Sequence, residues 1–219
     1  MKLSTKELTE SLRELILKGE FTSGEHMREI ALAERFQVSR TPIRVALAAN
    51  AKDGLLKYSR NRGYSVRSFD KRDIIDAFEM RSMLEGVASR VAAEQGMRLD
   101  AEQQARRACD VNDSLLLQNC EIDEASIEIW REQNQLFHSA ILNQSGNRFM
   151  HEMMRIVQQI PAVYPPIIAP YRLQDLRLYN AQHRKILDCI IKRQGMRAEA
   201  LMREHITGAG DIFCEAKPN

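Results

Sequence analysis

Arg40 and Arg44 stand four residues apart. On a helix that spacing sets two guanidinium groups on one face. Either can pair in bidentate fashion with O6 and N7 of a guanine in the DNA major groove. Ser39 and Thr41 beside them offer hydroxyls to phosphates, alongside the amides of a helix N-terminus. A second group with chemical capacity is His138, His183 and His205. His138 has Trp130, Asn134, Ile141 and Leu142 at helical spacing, His183 has Tyr179, Ile186, Leu187 and Ile190, and His205 has Leu201 and Met202. Each imidazole therefore faces the apolar side of its own helix. Three of them on three helices of one bundle suggest a shared polar site, and imidazole suits zinc, nickel, copper or iron. A hydrogen-bonded histidine cluster that holds an anion or only water fits the same pattern. No inward Asp or Glu beside these three clearly suits a general base, since Glu204 sits about 100° round the helix from His205. His26 and His151 lack this setting and are expected at the surface.

The elements that must position the two groups differ. Ser4 and Glu7 have the spacing of a capping box, and Leu8, Leu12, Leu15 and Ile16 then share a face. A short helix is expected from Arg28 to Phe36, with Ile30, Ala33 and Phe36 inward. Ser39 is a good N-cap for a third helix, Pro42 fits its first turn, and Ile43, Ala46, Leu47 and Ala51 face inward. Gly54 stops it. Two strand-like runs, 55–58 and 64–67, flank a turn in which Asn61 and Gly63 can take positive φ. Helix, helix, turn, helix, hairpin is the order of a winged helix-turn-helix. On spacing alone, a solvated basic helix and an arginine-bearing loop fit the same residues.

From Asp70 onward the period is helical only. Helices are expected at 70–95, 99–118, 122–143, 147–160, 173–193 and 197–213, with Asp70, Asp100 and Asp123 as caps. Pro161 should end the fourth, and Pro165, Pro166 and Pro170 mark a loop. Met150, Met153 and Met154 read as core. The fold class is thus mostly α: a winged helix-turn-helix with a small β-hairpin wing over 1–69, and an all-α bundle of six to seven helices over 70–219. A hinge is expected near Phe69–Arg72.

Charged residues make up 28% of the 219 residues and hydrophobic ones 44%, an ordinary balance for a soluble globular protein. No apolar run is long enough for a membrane span, and the polar start lacks the pattern of a secretory signal. Cys109, Cys120, Cys189 and Cys214 have no CxxC spacing and read as reduced thiols of a cytoplasmic protein. The net charge of +2 divides unevenly: residues 1–69 carry +5 and the rest −3. Only the first part is suited to a polyanion.

The stretch 31–44, Ala-Leu-Ala-Glu-Arg-Phe-Gln-Val-Ser-Arg-Thr-Pro-Ile-Arg, resembles the helix-turn-helix signature of the GntR family, and Asp53-Gly54-Leu55-Leu56 and Asn61-Arg62-Gly63 resemble its path into the wing. The resemblance implies double-stranded operator DNA as a partner. It places Arg40, Thr41 and Arg44 at base- and phosphate-contacting positions, and Arg62 and Gly63 at the wing tip. Arg28 and Arg35 are further phosphate candidates. Gln37 stands where the family usually has Gly in the turn, so the turn must avoid positive φ or accept strain. Val45 stands where it usually has Glu.

The segments 81–85, 137–141, 145–147 and 202–205 resemble the FCD effector domain of the FadR-type branch. That resemblance implies a divalent metal, zinc or nickel first, held by Asn134, His138, His183 and His205. Asn134 offers a neutral oxygen where the family usually has Asp, which should weaken binding or change metal choice. It also implies a small organic acid as effector, bound by Arg81 with His138, His183 and His205. Arg81 equally suits a salt bridge to Glu85. The expected protein is a homodimeric repressor and not an enzyme. The alternatives are a metal-dependent enzyme built on the histidines and a DNA-binding regulator whose effector site has decayed.

Overall fold

A computed structural model describes residues 3–118, 122–158 and 172–216. They divide into two compact units, one reaching to Ile74 and one containing Ile75–Val157 and the two C-terminal helices.

The first unit is built on three helices and a hairpin: α1 (Thr5–Leu17), α2 (Glu29–Phe36), α3 (Arg40–Lys52), β1 (Leu56–Ser59) and β2 (Gly63–Val66). The Ser4 hydroxyl accepts from the Glu7 amide, and the Glu7 carboxylate accepts from the Ser4 amide, so α1 starts on the expected capping box. Leu8, Leu12 and Ile16 of α1 pack with Leu32 of α2 and with Ile43, Ala46 and Leu47 of α3. Asn50, also buried, donates to the carbonyls of Thr9 and Ala46 and so ties α3 to α1. The hairpin is antiparallel in the register Leu56↔Val66 to Ser59↔Gly63. Asn61 and Gly63 take φ of 66° and 75°, as its tight turn requires. The other edge of β2 pairs with the segment before α2, through the bridge His26↔Ser65.

Two expectations for this unit are corrected, and one left open is decided. Ile30 is exposed, because α2 turns Leu32 into the core in its place. Ser39 has N-cap backbone geometry, yet its hydroxyl makes no capping bond among the described residues. Gln37 accepts the left-handed conformation, with φ 53° and ψ 42°.

The second unit contains α4 (Lys71–Gln95, which begins before Ile75), α5 (Leu99–Gln118), α6 (Glu124–Gln144), α7 (Arg148–Val157), α8 (Leu173–Ile191) and α9 (Gly195–Ala216). Asp70 and Asp123 accept from amides of the first turns of α4 and α6, as expected of caps. Asp100 lies inside the first turn of α5 and pairs with Arg98, so it is not a cap. Trp130, Leu116, Leu176 and Tyr179 form one apolar cluster between α5, α6 and α8. Of the methionine stripe on α7 only Met154 is buried, while Met153 faces water with Phe149 and Ile156. Pro161, Pro165, Pro166 and Pro170 lie outside the described residues.

The left-handed Gln37 generates a stability prediction. A side chain costs about 1–2 kcal/mol in that conformation, and glycine gives back about 0.5–1 kcal/mol through a freer unfolded chain. Gln37→Gly should stabilise the protein by the difference, about 0–1.5 kcal/mol, and so raise its melting temperature. A lower melting temperature would show that Gln37 carries no such strain.

Candidate functional site

Two sets of residues are built for chemistry, one in each unit. In the first, burial of Ile43, Ala46 and Leu47 fixes the rotation of α3, and the opposite face is left to water. Arg40, Thr41, Arg44, Val45 and Ala48 are exposed there. The two guanidinium side chains are 53% and 61% accessible, so the expected pair does face outward. They are not idle. Oε2 of Glu29 accepts from Nη2 of Arg40 at 2.7 Å and from Nε of Arg44 at 2.8 Å. The hydrogen bond from Arg40 does most to hold the Glu29 carboxyl below its ordinary pKa; burial opposes it, and the hydrogen bond from Arg44 with the charges of both arginines completes the lowering. One carboxylate from α2 thus sets the spacing of two cations on α3. Sequence reasoning missed it. Glu29 lies eleven residues before Arg40, and only the crossing of the two helices brings them together.

The first turn of α3 presents free N–H groups without a side-chain cap, at the exposed Ser39. A groove of about 530 Å³ runs past Arg28, Glu29 and Arg40 to Arg62 and Gly63, so helix and wing tip line one surface. Arg35 is engaged elsewhere, in an ion pair with Glu20 and over the ring of Phe21.

In the second unit α6, α8 and α9 bring His138, His183 and His205 together, all buried. One ring nitrogen from each lies within 4.8 Å of the others. The rings pack against each other and against Phe137, which stacks on His183 with centroids 4.1 Å apart. Asn134 is half-buried one helical turn before His138. Contrary to the sequence expectation, an inward carboxylate is present. Glu85 arrives from α4 and meets Nδ1 of His138 through Oε2, while its Oε1 accepts from Nε of Arg81 at 2.6 Å. Arg81, Glu85 and His138 are all buried.

The hydrogen bonds assign protons. Burial alone would raise the Glu85 pKa. The charges of Arg81 and His138, with hydrogen bonds from both, outweigh it and hold the carboxyl well below the carboxylate range. An ionised Glu85 only accepts, so Nδ1 of His138 carries a proton toward it. Nε2 of His138 is buried and has no hydrogen-bond partner among the described residues. Nδ1 of His205 likewise meets Oε1 of Gln182 at 2.8 Å, which directs its Nε2 lone pair at Nε2 of His183, 3.0 Å away. Burial first, and then neighbouring positive charge including Arg81, keeps His183 and His205 well below the ordinary imidazole pKa. Three buried, oriented imidazoles, with an orphaned nitrogen on His138, form a donor set that could hold a metal ion. His26 is exposed and His151 half-buried, both outside this cluster.

Among the described residues no helix is long and apolar enough to cross a membrane. The model of bacterial regulatory proteins of the gntR family matches residues 4–66, and the FCD domain model matches residues 76–208. The chain is 24% identical over 201 residues to the HTH-type transcriptional repressor GlaR of Escherichia coli (strain K12), covering 89% of each. It is 27% identical over 221 residues to the transcriptional regulator LutR of Bacillus subtilis (strain 168), covering 91% of this chain and 96% of that one. Two solved structures share its fold. One is E. coli McbR/YncC, with TM-score 0.79, 17% identity and 97% and 98% of the two chains covered. The other is a putative GntR regulator from Rhodococcus sp. RHA1, with TM-score 0.74, 21% identity and 98% and 99% covered. The named relatives are transcriptional regulators, not enzymes. This chain therefore belongs to the GntR family of bacterial regulatory proteins and pairs the family's DNA-binding domain with an FCD domain.

Proposed function

We propose that the protein is a ligand-responsive transcriptional repressor, with residues 1–69 docking operator DNA and residues 70–219 binding an effector and joining two copies. The observation that carries the DNA reading is the pair of exposed guanidinium groups beside the uncapped first turn of α3. Arg40 and Arg44 read base edges. Ser39, Thr41 and the helix amides take phosphates, and Arg28, Arg62 and the close backbone approach at Gly63 serve the flanking backbone, while Arg35 stays with Glu20. The repressor sign is supported by the description of GlaR as a repressor. A dimer would bury the apolar residues left exposed on α7, Phe149, Met153 and Ile156, and would match a two-fold operator.

In the FCD domain His138, His183 and His205, with the Asn134 amide oxygen, would hold a divalent metal, zinc or nickel. When bound, it supplies a Lewis-acid centre for the carboxylate of a small organic acid. Arg81 adds positive potential at the histidine cluster. It also holds Glu85, which fixes the His138 ring. Release from DNA requires an effector that binds the two arrangements of the dimer unequally.

Binding of duplexes selected from random sequence tests the DNA reading. Arg40→Ala or Arg44→Ala should cost ~1–3 kcal/mol and relax specificity at one position. Arg62→Ala should weaken all sequences evenly and lower the salt slope by about one. Unchanged affinity in Arg40→Ala would refute this placement of the recognition helix.

Thermal shift with zinc and with nickel tests the effector site. A metal at 100 times its dissociation constant should add ~2.7 kcal/mol. Glu85→Gln should weaken metal affinity about 10–100-fold through loss of ring orientation, while Asn134→Asp should strengthen it. If neither the natural protein nor Asn134→Asp responds to any divalent metal, the cluster is a hydrogen-bonded core and the effector site a decayed one.

The metal-free protein should also depend on pH in a defined direction. His183 and His205 are depressed in the folded state, so the unfolded chain binds more protons once pH falls below about 6.5. Their contribution is complete above that value and is lost as pH drops toward 5. Unperturbed carboxylates titrate near 4, below this window. A melting temperature that stays level or rises from pH 7.5 to 5 in chelator would contradict buried neutral imidazoles.

A further inference from the structure

Two apolar side chains stand on the face that the arginines occupy. Ile30 of α2 is 60% exposed and Val45 of α3 is 51% exposed. Both line a groove of about 680 Å³ together with Ser39, Arg40, Thr41 and Pro42. Ile30 and Arg40 also line the second groove, the one that reaches Arg62 and Gly63. Neither apolar residue is needed by the core of its unit, where Leu32 and Ile43 fill the corresponding inward positions.

A single exposed Ile or Val is ordinary on a protein surface. The setting of these two is not. Val45 directly follows Arg44, and Ile30 directly follows Glu29, whose carboxylate binds both guanidinium groups. Ile30, Val45 and Arg40 line one groove, and Ile30, Arg40 and Arg62 the other, so apolar area and cations share one surface. Duplex DNA offers the complement of both. In the major groove guanine presents two acceptors, and the thymine C5 methyl is the one apolar group on a base edge. A protein partner would have to cover Arg40, Arg44 and Arg62 as well, three exposed cations on a surface where Glu29 already serves two of them. The polyanion suits that charge.

We infer that Ile30 and Val45 read thymine methyl groups, so that this chain specifies its operator by guanidinium contacts to guanine and apolar contacts to neighbouring thymines. The inference rests on the DNA-binding reading proposed above and extends it from affinity to sequence. At position 45, where the family usually has a carboxylate, this chain offers an isopropyl group to a methyl.

The test uses the full chain and operators selected from random duplexes. Each thymine of the selected site is replaced singly by deoxyuridine, which removes the methyl and nothing else. At least one such replacement in each half-site should weaken binding about fourfold, the value of one buried methyl-sized group. That penalty should vanish in Val45→Ala or in Ile30→Ala, and the sites those variants select should lose their preference for thymine at the same position. Both residues are exposed, so the melting temperature should not change, and it serves as the control for folding. Deoxyuridine tolerated at every thymine, or a penalty that persists unchanged in both variants, overturns the inference while leaving DNA binding by the arginines intact. Failure to select any operator overturns the inference together with the reading beneath it.

Discussion

The DNA-facing surface depends on one rotational constraint, the burial of a single face of α3. Ile43, Ala46 and Leu47 lose all contact with water in the core formed with α1 and α2. Burying side chains of this size contributes about 1.5–3 kcal/mol each for the Ile and the Leu. Turning the helix by even one residue would expose them and carry the arginines inward. The outward direction of Arg40 and Arg44 is thus a consequence of what lies opposite them. Asn50 strengthens the constraint from within, since its amide donates to two carbonyls that the core would otherwise leave harder to satisfy.

Glu29 refines what that constraint begins. Two guanidinium groups on adjacent turns repel each other and lose rotamer freedom when docked. A shared carboxylate offsets the repulsion and restrains both side chains before any partner arrives. The same economy appears in the FCD domain with opposite burial. There Glu85 lies out of water between Arg81 and His138, where an unmatched carboxylate would be expensive. Two donors satisfy it, and in doing so they hold Nδ1 of His138 and leave its Nε2 without a hydrogen-bond partner among the described residues. A charged chain in a bundle interior is a doubtful source of stability. Its worth lies in fixing which nitrogen is free.

The departures from the family pattern divide by cause. Gln37 takes the backbone conformation that glycine would take, because the turn between α2 and α3 is dictated by the packing of those helices. Local preference yields to that packing, at a cost the core can absorb. Val45 and the exposed Ile30 cost nothing to the fold, since neither touches the core, and so they are free to follow the partner. Asn134 stands beside His138 as a neutral group where Glu85 already supplies one negative charge to the cluster.

Much was legible in the sequence. The order and near-exact extents of the helices, the hairpin, the capping box at Ser4, the outward pair Arg40 and Arg44, and the inward pointing of the three histidines all follow from periodicity and local hydrogen bonding. These are properties of one element at a time, set by spacings of three or four residues. What only the tertiary structure decided involves two elements at once. Glu29 meets Arg40 and Arg44, and Glu85 meets a histidine 53 positions away, because helices cross, and helix periodicity carries no record of the crossing. Ile30 was misplaced for the same reason. An eight-residue helix has apolar residues on more than one side, and the neighbour it packs against determines which of them is buried.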